Sequence, residues 1–168
     1  MEDKVWNKFD ENSVYLKNQE FYKNHILEQY KIYVEMADRI SSRRNLANMF
    51  FLTLNTTILG VIGFAFDKIQ LIEPKGLIIF PLIIVISLTI VWYGLLLSYR
   101  NLNSAKYKVI RHLSKELPSS PWSIEWIELG EGKSLKKYLP LTALEKFIPI
   151  LFCTIYIMIA IFIIFLMK

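Results

Sequence analysis

Three long runs of apolar residues, none of which contains a charge, dominate the pattern of the chain. They cover residues 49–66, 77–98 and 147–167. A helix that crosses a membrane needs about 20 mostly apolar residues, whereas apolar runs of roughly 10–14 residues are typical of helices buried in a soluble core. The pattern therefore predicts an all-α membrane protein with three transmembrane helices at these positions.

The helical pattern continues beyond the first two apolar runs. Over residues 22–40 apolar side chains recur at steps of three and four, which is typical of a helix with one apolar face. Residues 102–113 carry a similar stripe. Since nothing breaks the first helix, we expect it to cover residues 19–66, and we expect the second to continue towards Pro118. Together the two extensions predict a helical stalk that packs on itself and on neighbouring subunits.

The connection between the second and third runs contains a short predicted helix. Ser120 is a suitable N-cap, Pro121 suits the first helical position, and Gly130 is expected to end the helix. Within it, Trp122 and Trp126 are typical either of an anchor at the membrane interface or of packing on the stalk. The sequence leaves both alternatives open.

The third apolar run is preceded by a start signal for a helix. Thr142 and Glu145 have the spacing of a capping box, which predicts that the helix opens there. Pro149 lies a few residues further on. Because proline cannot donate a helical hydrogen bond, we expect it to bend the helix or to restart it.

Lysine and arginine are distributed unevenly among the segments that flank the apolar runs. Eight lie in residues 1–48 and nine in residues 99–146, but only two lie in residues 67–76 and one follows the third run. Positively charged segments stay in the cytosol. We therefore expect residues 1–48 and 99–146 to be cytosolic, and residues 67–76 and the C-terminus to be external.

The net charge of +5 is expected to lie mostly on the cytosolic side. It has two interpretations, which are attraction to anionic lipid headgroups and a docking surface for an anionic ligand or nucleic acid. Glu35 and Arg39 have the spacing of a favourable ion pair on a helix. The candidate residues for binding an anion are the basic residues next to the first two runs: Arg39, Arg43, Arg44, Arg100, Lys106, Lys108 and Arg111.

The first run carries amides and threonines although it is otherwise apolar. Polar groups in hydrocarbon are costly unless they are paired, so these side chains should face protein or water. One alternative is hydrogen bonding between tightly packed helices, with Gly60 and Gly63 allowing a close approach. The other is a water-filled path in an oligomer. The candidates for the pore face and its hydrophobic gate are Asn48, Leu52, Asn55, Thr56 and Leu59.

The sequence contains no recognisable catalytic constellation, so we expect neither an enzyme nor a cofactor. The tripeptide at residues 132–134, "GKS", matches the end of a phosphate-binding loop, but Ile127 stands where that motif needs glycine. Cys153 is the only cysteine, and no histidine has the spacing of a metal site. Three spans bury little surface alone, so we expect a homo-oligomer, most simply a closed ring.

Three segments in combination resemble a known family. They are "YKIYVEMADRISSRRNLANMFFLTLNT", "WYGLLLSYRNLNSAKYKVI" and "YLPLTALEKFIP", between residues 30 and 149. They are similar to the RipA-like octameric membrane proteins, a family of small bacterial inner-membrane proteins. The resemblance implies a homo-oligomer in the bacterial cytoplasmic membrane and no defined activity. By analogy of architecture alone, the build is also similar to membrane effectors of anti-phage defence, in which a nucleotide or oligonucleotide opens a channel.

Two functions are compatible with these features. The first is a homo-oligomeric pore, surrounded by lipid, that opens when a cytosolic anionic signal acts on the basic stalk. The alternative is a non-conducting scaffold whose stalk and tryptophan-containing helix bind a cytosolic partner protein. The first requires a polar path along the first span, and the second requires an exposed docking surface on the stalk.

Overall fold

The computed structural model describes residues 5–64, 68, 79–132, 138–139 and 141–166, and these residues form helices and no strands. The all-α prediction is confirmed. The helices are α1 (Val14–Lys17), α2 (Gln19–Phe64), α3 (Ile79–Ser114), α4 (Pro121–Glu128), a 3₁₀ turn (Gly130–Gly132) and α5 (Leu141–Leu166).

Three of these helices are long and apolar enough to cross a membrane, and they include the described parts of the three predicted spans, which are residues 49–64, 79–98 and 147–166. The prediction that the first two helices extend well beyond their apolar runs is also confirmed, because α2 has 46 residues and α3 has 36. The membrane boundaries along these helices stay predictions. The predicted external loop, residues 67–76, lies outside the described residues except for Lys68.

The helix ends follow local chemistry. The Asn18 side chain accepts a hydrogen bond from the backbone N–H of Phe21 at 3.0 Å, which caps the start of α2. The chain leaves α4 through Gly130, which has a φ of 75° as predicted for a helix-ending glycine. Glu131 also has a positive φ, of 54°. Such a conformation costs a residue with a side chain roughly 1 kcal/mol.

The predicted start of α4 is confirmed, and that of α5 is corrected. Ser120 is the N-cap of α4 and Pro121 is its first residue, but the Ser120 hydroxyl donates to the carbonyl of Ser114 at 2.9 Å instead of capping α4. It thereby ties the start of α4 to the end of α3. Helix α5 begins at Leu141, before Thr142, and continues through Pro149 without restarting. The backbone N–H groups of a first turn have no acceptor within their own helix, so a start at Leu141 breaks no internal hydrogen bond.

The chain divides into two compact units. Residues 43–99 and 140–168 form what we call the span unit, and residues 1–42 and 100–139 form the polar unit. The core of the span unit is aromatic. Trp92 and Tyr156 are completely buried, and the Phe51 ring stacks on Trp92 with centroids 5.7 Å apart. Large aromatic rings bury much apolar surface and prefer particular contact geometries, so they determine how the spans of one subunit pack.

The polar unit packs along the stripes that the sequence predicts. Ile26, Ala37 and Ile40 of α2 are buried, as are Ile110 and Leu113 of α3. Apolar residues at three- and four-residue steps fall on one helix face, so a narrow buried seam with charged flanks is the expected result.

The short helix α4 packs on the other helices of the polar unit through Trp122. Its indole N–H donates to the Tyr30 hydroxyl at 2.6 Å, and its ring lies 5.7 Å from that of Tyr107. Of the two alternatives for the tryptophans, this geometry favours packing on the stalk. Ile124 and Ile127 of α4 remain exposed.

An aromatic cluster precedes and opens α2. The ring centroids of Phe21 and His25 lie 4.2 Å apart, and the Tyr15 hydroxyl lies 3.0 Å from His25 Nδ1. Burial raises the pKa of the nearby Tyr22 phenol above its usual range, and the negative charge of Glu116 raises that pKa further. The ring contacts therefore pack α1 and the residues before it against the first turns of α2.

Candidate functional site

The most deeply buried amide of the first span, Asn55, is paired within the subunit. Its side chain is 1% exposed, and its Nδ2 donates to the carbonyl of Phe51 at 2.8 Å. The Tyr156 hydroxyl lies 3.1 Å from both the backbone carbonyl and the side-chain oxygen of Asn55, and donates to them. This hydrogen bonding ties α2 to α5 and leaves no polar atom of the pair facing hydrocarbon.

Asn48 is paired in the same manner with the second span. Its side-chain oxygen accepts a hydrogen bond of 3.1 Å from the indole N–H of Trp92. A buried indole has one donor and needs one acceptor. Sequence reasoning identified the amides but missed Trp92 and Tyr156 as their partners. A signal was available in the sequence, because the indole N–H of Trp92 and the hydroxyl of Tyr156 also need a hydrogen-bond partner within the membrane.

Of the five predicted pore-lining residues, Thr56 differs from the others in its exposure. Thr56 is exposed, and its hydroxyl donates to the carbonyl of Leu52 at 2.9 Å. Leu52 and Leu59 are half-buried and pack against the aromatic core. The pairing of Asn48 and Asn55 matches the alternative of hydrogen bonding between helices. Lining of a pore by these five residues stays a prediction, and Thr56 is the one whose side chain is exposed in a single subunit.

A different face of the first span is small and polar and lies outside the subunit core. Apart from adjoining residues and the backbone of the same helical turns, no described atom comes within 4 Å of the position that a Cβ would take at Gly60 or Gly63. With threonines and two larger residues below them, these glycines form a stripe at steps of three and four. We call this the small-residue stripe, and its members are all exposed: Asn45, Met49, Thr53, Thr56, Gly60 and Gly63.

The remaining exposed residues of the first span are mostly large and apolar. Leu46, Phe50, Val61 and Phe64 are each more than half exposed. Side chains of this type are suited to contact with lipid. The surface of the span that faces away from its own subunit therefore has two characters, one apolar and one small and polar.

A partly enclosed ion pair joins the first and third spans. Arg44 Nε lies 3.5 Å from Glu145 Oε2, and the two side chains are 15% and 19% exposed. Neither of these two atoms makes a hydrogen bond within the described chain. Arg44 is one of the residues predicted to bind a cytosolic anion. In the structure its charge is balanced by Glu145, and binding of an anion by Arg44 stays a prediction. The carboxylate was missed because the sequence suggested a capping role for it.

The other basic candidates differ in how they are held. Arg39 pairs with Glu35 at 2.6 Å on the surface of α2, as the spacing predicts. Lys106 lies 5.0 Å above the ring of Tyr33, and Arg111 lies 5.9 Å from the ring centroid of Trp126. Three further candidates are exposed and have neither an ion-pair partner nor a ring contact among the described residues: Arg43, Arg100 and Lys108. Within the part of the chain that is described, no cluster of residues is suited to hold a metal ion.

The comparison with known families agrees with this architecture. The model of the octameric membrane protein family (8xMP) matches residues 27–165. The chain belongs to this octameric membrane protein family. No curated protein matches the chain, and no solved structure does. The family identifies an 8xMP chain as a membrane protein that associates with copies of itself. The resemblance to an octameric membrane family is thereby confirmed, whereas the RipA-like name and the bacterial inner membrane stay predictions.

Proposed function

We propose that this chain is a RipA-like protein and that eight copies of it surround a gated pore in the bacterial cytoplasmic membrane, with the polar unit in the cytosol. The small-residue stripe on the first span is the observation that carries the proposal. It is exposed in the single subunit, yet it is poorly suited to lipid because it offers hydroxyls, an amide and bare backbone. Small and polar residues on a membrane helix are typical of faces that meet protein or water.

The stripe gives the pore defined properties. Thr53 and Thr56 would line its polar part, and Met49 would supply an apolar constriction in place of Leu52 and Leu59, which pack in the subunit core. Since no charged ring lies along the stripe within the span, the path would discriminate weakly between ions.

Gating follows from the continuity of α2. This helix has no interruption between its first residue and its last. A rotation of its polar half, produced by an anionic ligand, would therefore reorient the stripe in the other half. By analogy of architecture, the ligand would be a nucleotide or oligonucleotide signal in anti-phage defence. The protein would act through conformational change and would not be an enzyme.

Ion flux from liposomes that contain the purified octamer tests the proposal. The double variant Thr53→Leu, Thr56→Leu fills the stripe with apolar side chains, so we expect flux to fall at least tenfold. The matched control is Val61→Leu, which enlarges an exposed side chain on the apolar face of the same span. Flux that is equally reduced in both variants, or no flux from the unaltered protein under any ligand or voltage, would contradict a pore lined by the stripe.

The scaffold is the second candidate, and the exposed face of α4 favours it. Ile124 is 62% exposed and Ile127 is 59% exposed, so α4 presents two branched apolar side chains beside its charged ones. Such a face is suited to a protein partner. Specific retention of a partner that is lost in Ile124→Glu, together with absence of flux, would support the scaffold over the pore.

A further inference from the structure

The polar unit contains a cleft of about 440 Å³ between α3 and α4. Ligand-binding pockets usually measure about 300–1,000 Å³, so the cleft has the size of a small-molecule site. Its lining combines aromatic rings with two cations and one carboxylate. The residues that decide its chemistry are Tyr107, Lys108, Arg111, Trp122, Glu125 and Trp126.

The aromatic wall of the cleft is held in place. Trp122 is oriented by its hydrogen bond to the Tyr30 hydroxyl, and its ring lies at 53° to that of Tyr107. The guanidinium of Arg111 lies 5.9 Å from the centroid of the Trp126 ring. Fixed rings of this kind offer a stacking surface without losing much conformational entropy when a planar ligand binds.

The charge of the cleft is suited to an anion. Lys108 is exposed and has no ion-pair partner within the described chain. Arg111 has a cation–π contact with Trp126 and no ion pair among the described residues, and such a contact leaves the N–H donors of a guanidinium for another partner. Only Glu125 opposes these two cations in the lining. The remaining positive charge lies beside rings, which is the combination that recognises a flat group attached to a phosphate.

We infer that this cleft binds a nucleoside monophosphate, with its base against the tryptophan rings and its phosphate at Lys108 and Arg111. The inference rests on the proposed function, since it assigns the anionic ligand and the site at which that ligand acts. Headgroups of common anionic lipids supply the phosphate without an aromatic ring. Binding of a nucleoside monophosphate therefore requires the tryptophan rings, whereas binding of a lipid headgroup does not.

Calorimetric titration of the full-length octamer in detergent tests the inference with adenosine monophosphate as the probe. We expect saturable binding of this probe and at least tenfold weaker binding of adenosine and of inorganic phosphate, because each lacks one half of the recognised chemistry. No saturable binding of the probe overturns the inference. Equal binding of inorganic phosphate overturns the role of the rings, and preference for an oligonucleotide over the monophosphate overturns the assigned ligand class.

Variants of the lining test the position of each group. Lys108→Ala removes a charged hydrogen bond and should weaken binding about tenfold, which corresponds to about 1.4 kcal/mol. Glu125→Gln removes the opposing charge and should tighten binding. Lys23→Ala, an exposed lysine of the polar unit outside the cleft, is the matched control and should change nothing. An equal loss in Lys23→Ala and Lys108→Ala would show general attraction of anions and contradict the site.

The role of Trp126 is tested with a conservative pair of variants. Trp126→Phe keeps a ring and should retain most binding, whereas Trp126→Ala should weaken it at least tenfold in protein that still elutes as an octamer. Equal binding in both variants overturns stacking. These titrations do not require conduction, so binding without flux would contradict the pore alone, and flux without binding would contradict this site alone.

Discussion

The span unit and the polar unit differ in how far their charged and polar side chains are enclosed. In the span unit, pairs between helices are enclosed, as Asn55 is with Tyr156 and Arg44 is with Glu145. In the polar unit the ion pair of Arg39 with Glu35 is exposed, and Lys106 and Arg111 contact aromatic rings without forming an ion pair. Hydrocarbon gives an unpaired polar group no other partner, whereas water tolerates a cation that is free to bind something else. Enclosed pairs therefore contribute to the stability of the span unit, and the unpaired cations of the polar unit keep the capacity to bind an anion.

Replacement of one tryptophan in each unit should give the largest difference in the free energy of unfolding between the two units. Trp92→Ala removes a completely buried ring and leaves Asn48 without its donor, so it should reduce the free energy of unfolding by about 3–5 kcal/mol. Trp126→Ala in the polar unit removes a half-buried ring and should cost about 1–2 kcal/mol. Titration with sodium dodecyl sulfate in mixed micelles measures both. A larger loss for Trp126→Ala would contradict the assignment of the aromatic core.

Breaking one ion pair in each unit should give the next largest difference. Glu145→Ala leaves Arg44 enclosed with an unbalanced charge, and we expect a loss of about 2 kcal/mol, below that for a fully buried pair because both side chains keep some exposure. Glu35→Ala breaks the exposed pair with Arg39 and should cost about 0.5 kcal/mol or less. The same unfolding titration applies. Equal losses in the two variants would show that Arg44 is solvated and that its pair with Glu145 is a surface contact.

Removing one tyrosine hydroxyl from each unit should give the smallest effect. Tyr156→Phe deprives Asn55 of its donor inside the apolar core and should cost about 1 kcal/mol. Tyr30→Phe removes the acceptor of the Trp122 indole, which water can replace in part, and should cost about 0.5 kcal/mol. The unfolding free energies of the two variants are compared directly. A neutral Tyr156→Phe would mean that the Asn55 amide finds another partner.

Periodicity predicts the faces of these helices well and their partners poorly. The stripe that contains Ile26 and Ile40 could be predicted because burial repeats with the helical turn. The spacing of Glu35 and Arg39 likewise determines their contact, since both lie on one helix. Asn55 and Tyr156 lie on different helices, and the angle at which those helices face each other depends on the packing of the whole unit. Their contact therefore has no local signature.

The candidate sites differ in the same respect. Lys108 and Arg111 could be predicted as cations beside an apolar stripe, but not as the cationic side of a cleft, because the opposite wall comes from α4. Glu145 was interpreted through its nearest neighbours, where it resembles a capping residue. Its actual partner, Arg44, belongs to a distant segment of the chain. Local motifs failed where the competing interaction was an ion pair between helices.

The reactivity of single cysteines along the first span tests the central claim most directly. Cys153 is first replaced by serine, and then Thr56→Cys on the stripe and Val61→Cys on the exposed apolar face are compared in liposomes with a charged, water-soluble thiol reagent. We predict that the thiol at position 56 reacts at least tenfold faster than the thiol at position 61, and that its modification alters ion flux, because only the small-residue stripe faces water. Equal rates, or faster reaction at position 61, would contradict a pore lined by this face.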